Sequence, residues 1–169
     1  MRWVPFLLLA VASVLLQTTV VRLVATGAVR PDLMVAVLVP LCLGARRGEG
    51  FAAGCVLGLL RDLFSSEPFG LSAGVFAALG YGLARLRASV YAEHPVTHGI
   101  LGFGCSCLVS GVSVGVLVVQ GGELSLATAL RGVAVVALGT GVLAAAVGGA
   151  VWLRPRWFGL RRGVEFEDV

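Results

Sequence analysis

Lysine is absent from this chain: all 13 basic residues are arginine. Charge of either sign is scarce, at 13% of 169 residues, where ordinary soluble domains carry about 25%. With 58% hydrophobic residues and a mean hydropathy of +0.98, that scarcity is a membrane signature before any segment is drawn. The net charge of +4 is modest and the arginines are spread through connecting segments, which argues against a nucleic-acid surface. The length is too small for two bulky domains and suits five or six spans with short connections. Reactive constellations are missing as well. No nucleophile has a base and an orienting group beside it, as a triad would require. Cys42, Cys55, Cys105 and Cys107 all fall in apolar runs without CxxC spacing, and read as small packing residues. His94 and His98 have a spacing that could hold a metal on a helix, but Pro95 between them and the want of a third ligand argue against it. The glycines lie in helices rather than between a strand and a helix, so no loop cradles phosphate. No catalytic, metal or cofactor-binding residue is expected.

What the chain has is small residues at four-residue intervals, about 400° of helix, so that each set lines one slowly drifting face. Gly50, Gly54 and Gly58 form one ridge; Gly70, Gly74, Ala78 and Gly82 form the next, with Arg61, Asp62 and Glu67 between them. In lipid such ridges let backbones approach closely, and packing replaces the hydrophobic effect as the force between helices. Two short helices meeting at a charged turn are therefore expected over Gly50 to Gly82. Trp3 to Val21 is an apolar run of 19 residues, long enough to span. It is expected to be a retained span, because the peptidase-like Ala10-Val11-Ala12 lies inside the run. Gln17 is expected to line the bundle without a role. Pro31 fits the first turn of the next helix, and Asp32 favours its positive end. Leu33 to Gly44 and Gly50 to Leu60 hold only 12 and 11 apolar residues; the Arg46–Gly50 hairpin between them favours a pair of short spans, with a re-entrant pair as the competing topology. Gly99 to Val119 and Val133 to Leu153 are spans of 21 residues each. These carry small-residue spacings of their own, Gly111-Gly115 and Ala137-Gly141-Ala145-Gly149.

The expected architecture is an all-α, polytopic six-helix bundle with short second and third spans, as one transmembrane domain over residues 1–155 and a basic-then-acidic tail over 156–169. With six spans, one side holds Arg2, Arg46, Arg47, Arg85, Arg87, Arg154, Arg156, Arg161 and Arg162; the other holds Arg22, Arg30, Arg61 and Arg131. That asymmetry places both termini in the cytoplasm and Asp32, Arg61, Asp62 and Glu67 at the outer face. The terminal Trp157 and Phe158 among arginines read as an anchor to anionic lipid. Asp62 is the leading functional candidate, since an ionisable residue at membrane depth is costly. Arg61 points about 100° away from it on a helix, so Arg22 or Arg30 is its expected ion-pair partner across the bundle. The alternative is that Asp62 is a solvated helix end.

The succession Arg30-Pro31-Asp32-Leu33, Gly50-Phe51, Gly54, Gly58-Leu59-Leu60-Arg61-Asp62 and Phe69-Gly70-Leu71 resembles the bacterial rod shape-determining MreD family. The likeness covers roughly residues 1–155 and is most specific over 30–71. It implies a multi-pass protein of the inner membrane in the cell-elongation, peptidoglycan-synthesising machinery, without catalysis of its own. The implied partners are a bitopic MreC-like protein, MreB filaments, and a RodA-type glycosyltransferase with its penicillin-binding transpeptidase. The implied fold is similar to the substrate-binding subunits of energy-coupling-factor transporters. Pro31, Asp32, Gly54, Gly58, Asp62 and Gly70 are the family-like positions. A scaffold that docks a partner's transmembrane helix is the first functional expectation. The substrate-binding membrane subunit of a vitamin-type transporter is the second, and an enzyme of lipid-linked intermediates, lacking candidate residues, is the third.

Overall fold

The computed structural model describes residues 3–24, 31–65, 68–87, 94–121 and 125–153, with the side chains of the first helix described over 6–19. The six helices are α1 (Trp3–Val24), α2 (Leu33–Leu43), α3 (Arg47–Phe64), α4 (Leu71–Leu86), α5 (Pro95–Val119) and α6 (Leu126–Leu153), with no strand among the described residues.

The centre of the bundle is α2. Every residue from Met34 to Leu43 is buried, as befits a helix with no polar side to offer either solvent or a polar partner. It packs against each of the other five helices. Its 11 residues rise about 16 Å, half of the roughly 30 Å hydrocarbon core. Pro40 lies inside it, where the enclosing helices offset the loss of one ladder hydrogen bond.

Two antiparallel hairpins and α1 surround this core. In the α3–α4 hairpin the expected ridge on α3 is the contact face. A Cβ on Gly50 would lie 2.6 Å from the Gly80 oxygen and 2.8 Å from the Ala84 Cβ; one on Gly58 would lie 2.7 Å from the Ala73 nitrogen. The expected ridge on α4 is corrected. Gly74 and Ala78 are exposed, and a Cβ on Gly74 or Gly82 would meet nothing within 4 Å. The face that meets α3 is Ala73, Phe76–Ala77, Gly80 and Ala84. Small residues recur on two neighbouring faces of α4, and periodicity alone cannot choose between them. In the α5–α6 hairpin, Gly102 abuts Ala144 and Gly141 abuts Phe103, whereas Gly111 and Gly115 are exposed with open space about them.

Helix lengths also differ from expectation. α3 runs for 18 residues and α4 for 16, so the short spans are α2 and α4 rather than the second and third. Charges mark the end of an apolar run but not of the helix. Glu49 reaches back to the Arg46 N–H at 3.1 Å, so α3 begins at Arg47 and the turn shrinks to Gly44–Arg46. α5 and α6 are long and apolar enough to cross a membrane. Leu7, Leu8, Val11 and Leu15 on α1, Leu108 and Val112 on α5, and Leu130, Leu138 and Val142 on α6 are exposed. So extensive an apolar surface is unfavourable in water and ordinary in lipid. The boundary expected at residue 155, the tail, Arg30, Glu67 and the side chain of Arg22 lie outside the described residues.

Candidate functional site

Where α2 begins, its first amides need acceptors that a lipid surrounding cannot supply. Asp32 is the N-cap: its Oδ1 accepts from the N–H of Met34 at 3.0 Å and of Val35 at 3.3 Å. Pro31 therefore precedes the cap rather than forming the first turn. The second oxygen of Asp32 takes Nη1 of Arg61, from the last turn of α3. The guanidinium carbon lies 5.5 Å from the centre of the Phe76 ring of α4, within cation–π range.

From Asp32 the polar contacts spread to the remaining helices. Its backbone N–H donates to Thr140 Oγ1 of α6 at 2.8 Å. The Thr140 hydroxyl donates to the Val136 carbonyl at 2.9 Å and accepts from Ser106 Oγ of α5 at 3.3 Å. Gln17 of α1 accepts from the Leu33 N–H at 2.8 Å and donates to the Pro31 carbonyl at 3.3 Å. Gln17 thus binds the entrance to α2, where a role-free lining residue was expected.

One residue beyond Arg61, Asp62 does for α4 what Asp32 does for α2. It is buried, not a solvated helix end. Its Oδ2 accepts from the N–H of Gly70 at 2.8 Å and of Ala73 at 3.2 Å, and its Oδ1 from that of Ser72 at 3.2 Å. The N-cap position of α4 is Gly70, at φ +95°, which brings no side chain to the task; a neighbouring helix supplies the carboxylate instead. Left-handed backbone of this kind suits glycine.

Beside the cluster lies an open cleft of about 320 Å³ between the C-terminal half of α5 and the N-terminal half of α6. It is lined by Arg61 and by Ser110, Ser113, Thr128, Gly132 and Val136 among others.

Compared with known families, residues 1–125 match the model of the rod shape-determining protein MreD. The chain belongs to the MreD family. No curated protein and no solved structure matches it. Membership makes it a membrane protein of cell-shape determination, in agreement with the two hairpin helices long enough to span. MreD proteins are not known as enzymes. Within this chain, Asp32 and Asp62 lie at the starts of two helices and are joined through Arg61, which is consecutive with one and paired with the other. Gly54 and Gly58 lie on the α3–α4 contact, and Gly58 abuts Ala73, whose N–H donates to Asp62. Sequence reasoning passed over Arg61 as a partner for Asp32 because attention lay on its neighbour. It also missed Thr140, although that is the one hydroxyl between Val133 and Leu153.

Proposed function

We propose that this chain is a non-enzymatic scaffold of the cell-elongation machinery, docking the transmembrane helix of a bitopic, MreC-like partner. The observation that carries this reading is how the polar groups are used. Asp32, Asp62, Gln17 and Thr140 are all committed to helix ends and to one another, so none of these four is poised for proton transfer or nucleophilic attack. What faces outward is shape: two full-length helices, α5 and α6, beside a half-length α2, with an open cleft between them. In this reading both termini are cytoplasmic. Arg46, Arg47, Arg85 and Arg87 stand at the ends of α3 and α4 opposite Asp32 and Asp62, as the excess of inside arginine expects. Contact with a RodA-type glycosyltransferase, its transpeptidase and MreB filaments would follow through that partner. The resemblance to energy-coupling-factor subunits belongs to the same proposal: a short buried helix beneath an outward opening supports it.

Crosslinking in native membranes followed by pull-down of the full chain tests the assignment. Recovery of a single-span protein with a periplasmic portion is expected. Recovery of a vitamin or another small molecule, with no companion protein, would replace docking by transport.

A further inference from the structure

Among the described residues, Arg61 is held on one edge. Asp32 takes Nη1 and the Phe76 ring lies beside the guanidinium. The side chain is still 22% exposed and lines the cleft between α5 and α6. A guanidinium carries five N–H donors in a planar fork, so one edge remains for a second acceptor. Around it the cleft presents the hydroxyls of Ser110, Ser113 and Thr128, and no carboxylate among the described lining residues. Asp32 stands behind the arginine rather than in the cleft wall. An incoming group therefore meets a positive charge and hydroxyl donors.

Size and depth select the occupant. At about 320 Å³ the opening is at the low end of the roughly 300–1,000 Å³ that enclose a small molecule, and it is not enclosed. It suits a few side chains of one helix. Along α3, Arg61 stands about 21 Å from the Arg47 end at 1.5 Å per residue; with Arg47 at one edge of a hydrocarbon core roughly 30 Å thick, Arg61 lies about 9 Å inside the other edge. A lipid phosphate belongs to the headgroup layer beyond that edge and would have to sink about 9 Å to reach it. A carboxylate on a transmembrane helix is carried there by the helix.

We infer that Arg61 and the α5–α6 cleft receive a membrane-embedded carboxylate, an aspartate or glutamate on the transmembrane helix of a single-span partner; this rests on the docking reading above. A charge-assisted, fork-shaped contact fixes both register and orientation of the incoming helix. It also gives selectivity, because a carboxylate left unpaired at that depth is costly.

The test uses the full chain in native membranes. A photoreactive benzoylphenylalanine replaces Ser113 in the cleft wall, and in a separate chain replaces Val142 on the exposed face of α6. The Ser113 position should yield a partner adduct whose transmembrane peptide contains Asp or Glu, and the Val142 position should not. Arg61→Gln should lower that adduct at least tenfold, and Arg61→Lys, which keeps the charge, should lower it less. If Arg61→Gln fails to accumulate, neutralising the acid in the crosslinked partner peptide gives the same readout with this chain unaltered. An adduct with lipid or a small molecule only, a peptide without a carboxylate, or full yield after either neutralisation overturns the inference. Docking survives those results if the partner is still recovered by pull-down. If no single-span protein is recovered from the unmodified chain, both readings fall.

Discussion

Gly54→Ala and Gly74→Ala change the same residue type by one carbon on facing helices, yet they should act in opposite directions. A Cβ on Gly54 would come to 2.7 Å from the Phe76 carbonyl carbon and 2.9 Å from the Ala77 Cα, both backbone atoms that no side-chain rotation can move. Relief requires α3 and α4 to part along their whole contact, which separates the neighbouring approaches at Gly50 and Gly58 too. Overpacking of this kind costs about 1–3 kcal/mol, and the rigid obstacle places Gly54 at the upper end. At roughly 2–4 °C per kcal/mol for a chain of this size, the midpoint should fall by roughly 5–10 °C. Gly74 faces open space, so alanine there only restores helix propensity, a gain of up to about 1 kcal/mol. Thermal unfolding of the detergent-solubilised chain, followed by circular dichroism, reads both. Equal destabilisation by the two substitutions, or a neutral Gly54→Ala, would refute the assignment of the α4 contact face.

Three further substitutions probe the caps. Asp62→Ala removes the acceptor for the two buried amides of Ser72 and Ala73 and the part-buried amide of Gly70 and should destabilise by about 2–3 kcal/mol, whereas Asp62→Asn keeps one oxygen and should cost about half as much; the order of the two midpoints is the check. Thr140→Val keeps the shape but takes the acceptor from the Asp32 N–H and the Ser106 hydroxyl, for about 1–3 kcal/mol, measured by the same melt. Gly70→Ala has room for its Cβ but forces alanine to φ +95°, so a loss of about 1–2 kcal/mol is expected from backbone strain alone; a neutral result would show that the turn relaxes.

Much of this was legible in the residues. Six apolar runs became six helices, and Gly50, Gly54 and Gly58 face their neighbour as their spacing requires. The start of α2 at Asp32 was readable because capping is local: the acid and the amides it binds are two and three residues apart. The phase of α4 was not, since Ala73 and Gly74 are equally small and only the partner helix decides between them. Arg61 pairs with a residue 29 positions away and Thr140 with one 108 positions away. Such contacts follow from which helices become neighbours, and neither local spacing nor hydropathy encodes that. Arg30 and the side chain of Arg22, the expected partners of Asp62, lie outside the described residues, and what Asp62 does bind is the backbone: the amides of Gly70, Ser72 and Ala73 offer positive potential without a side-chain charge.

The buried charges have their origin in helix length, and the cleft shares one of them. A helix that ends at the membrane surface leaves its first amides to water. One that starts near the midplane leaves them in hydrocarbon, at several kcal/mol for each group left unsatisfied. The first amides of α2 and α4 turn into the bundle, so each helix needs an acceptor brought to it, and a carboxylate serves several amides at once. Two carboxylates held in low dielectric in turn call for compensation. Arg61 supplies it to Asp32, and the α4 amides supply it to Asp62. The arginine that compensates Asp32 also stands at the edge of the opening between α5 and α6. Lengthening α2 by two turns at its N-terminus would thus remove the need for the Asp32 cap and, with it, the anion that holds Arg61 at the edge of the opening. That is why the Asp32 cap and the position of Arg61 in the cleft wall should be lost or kept together.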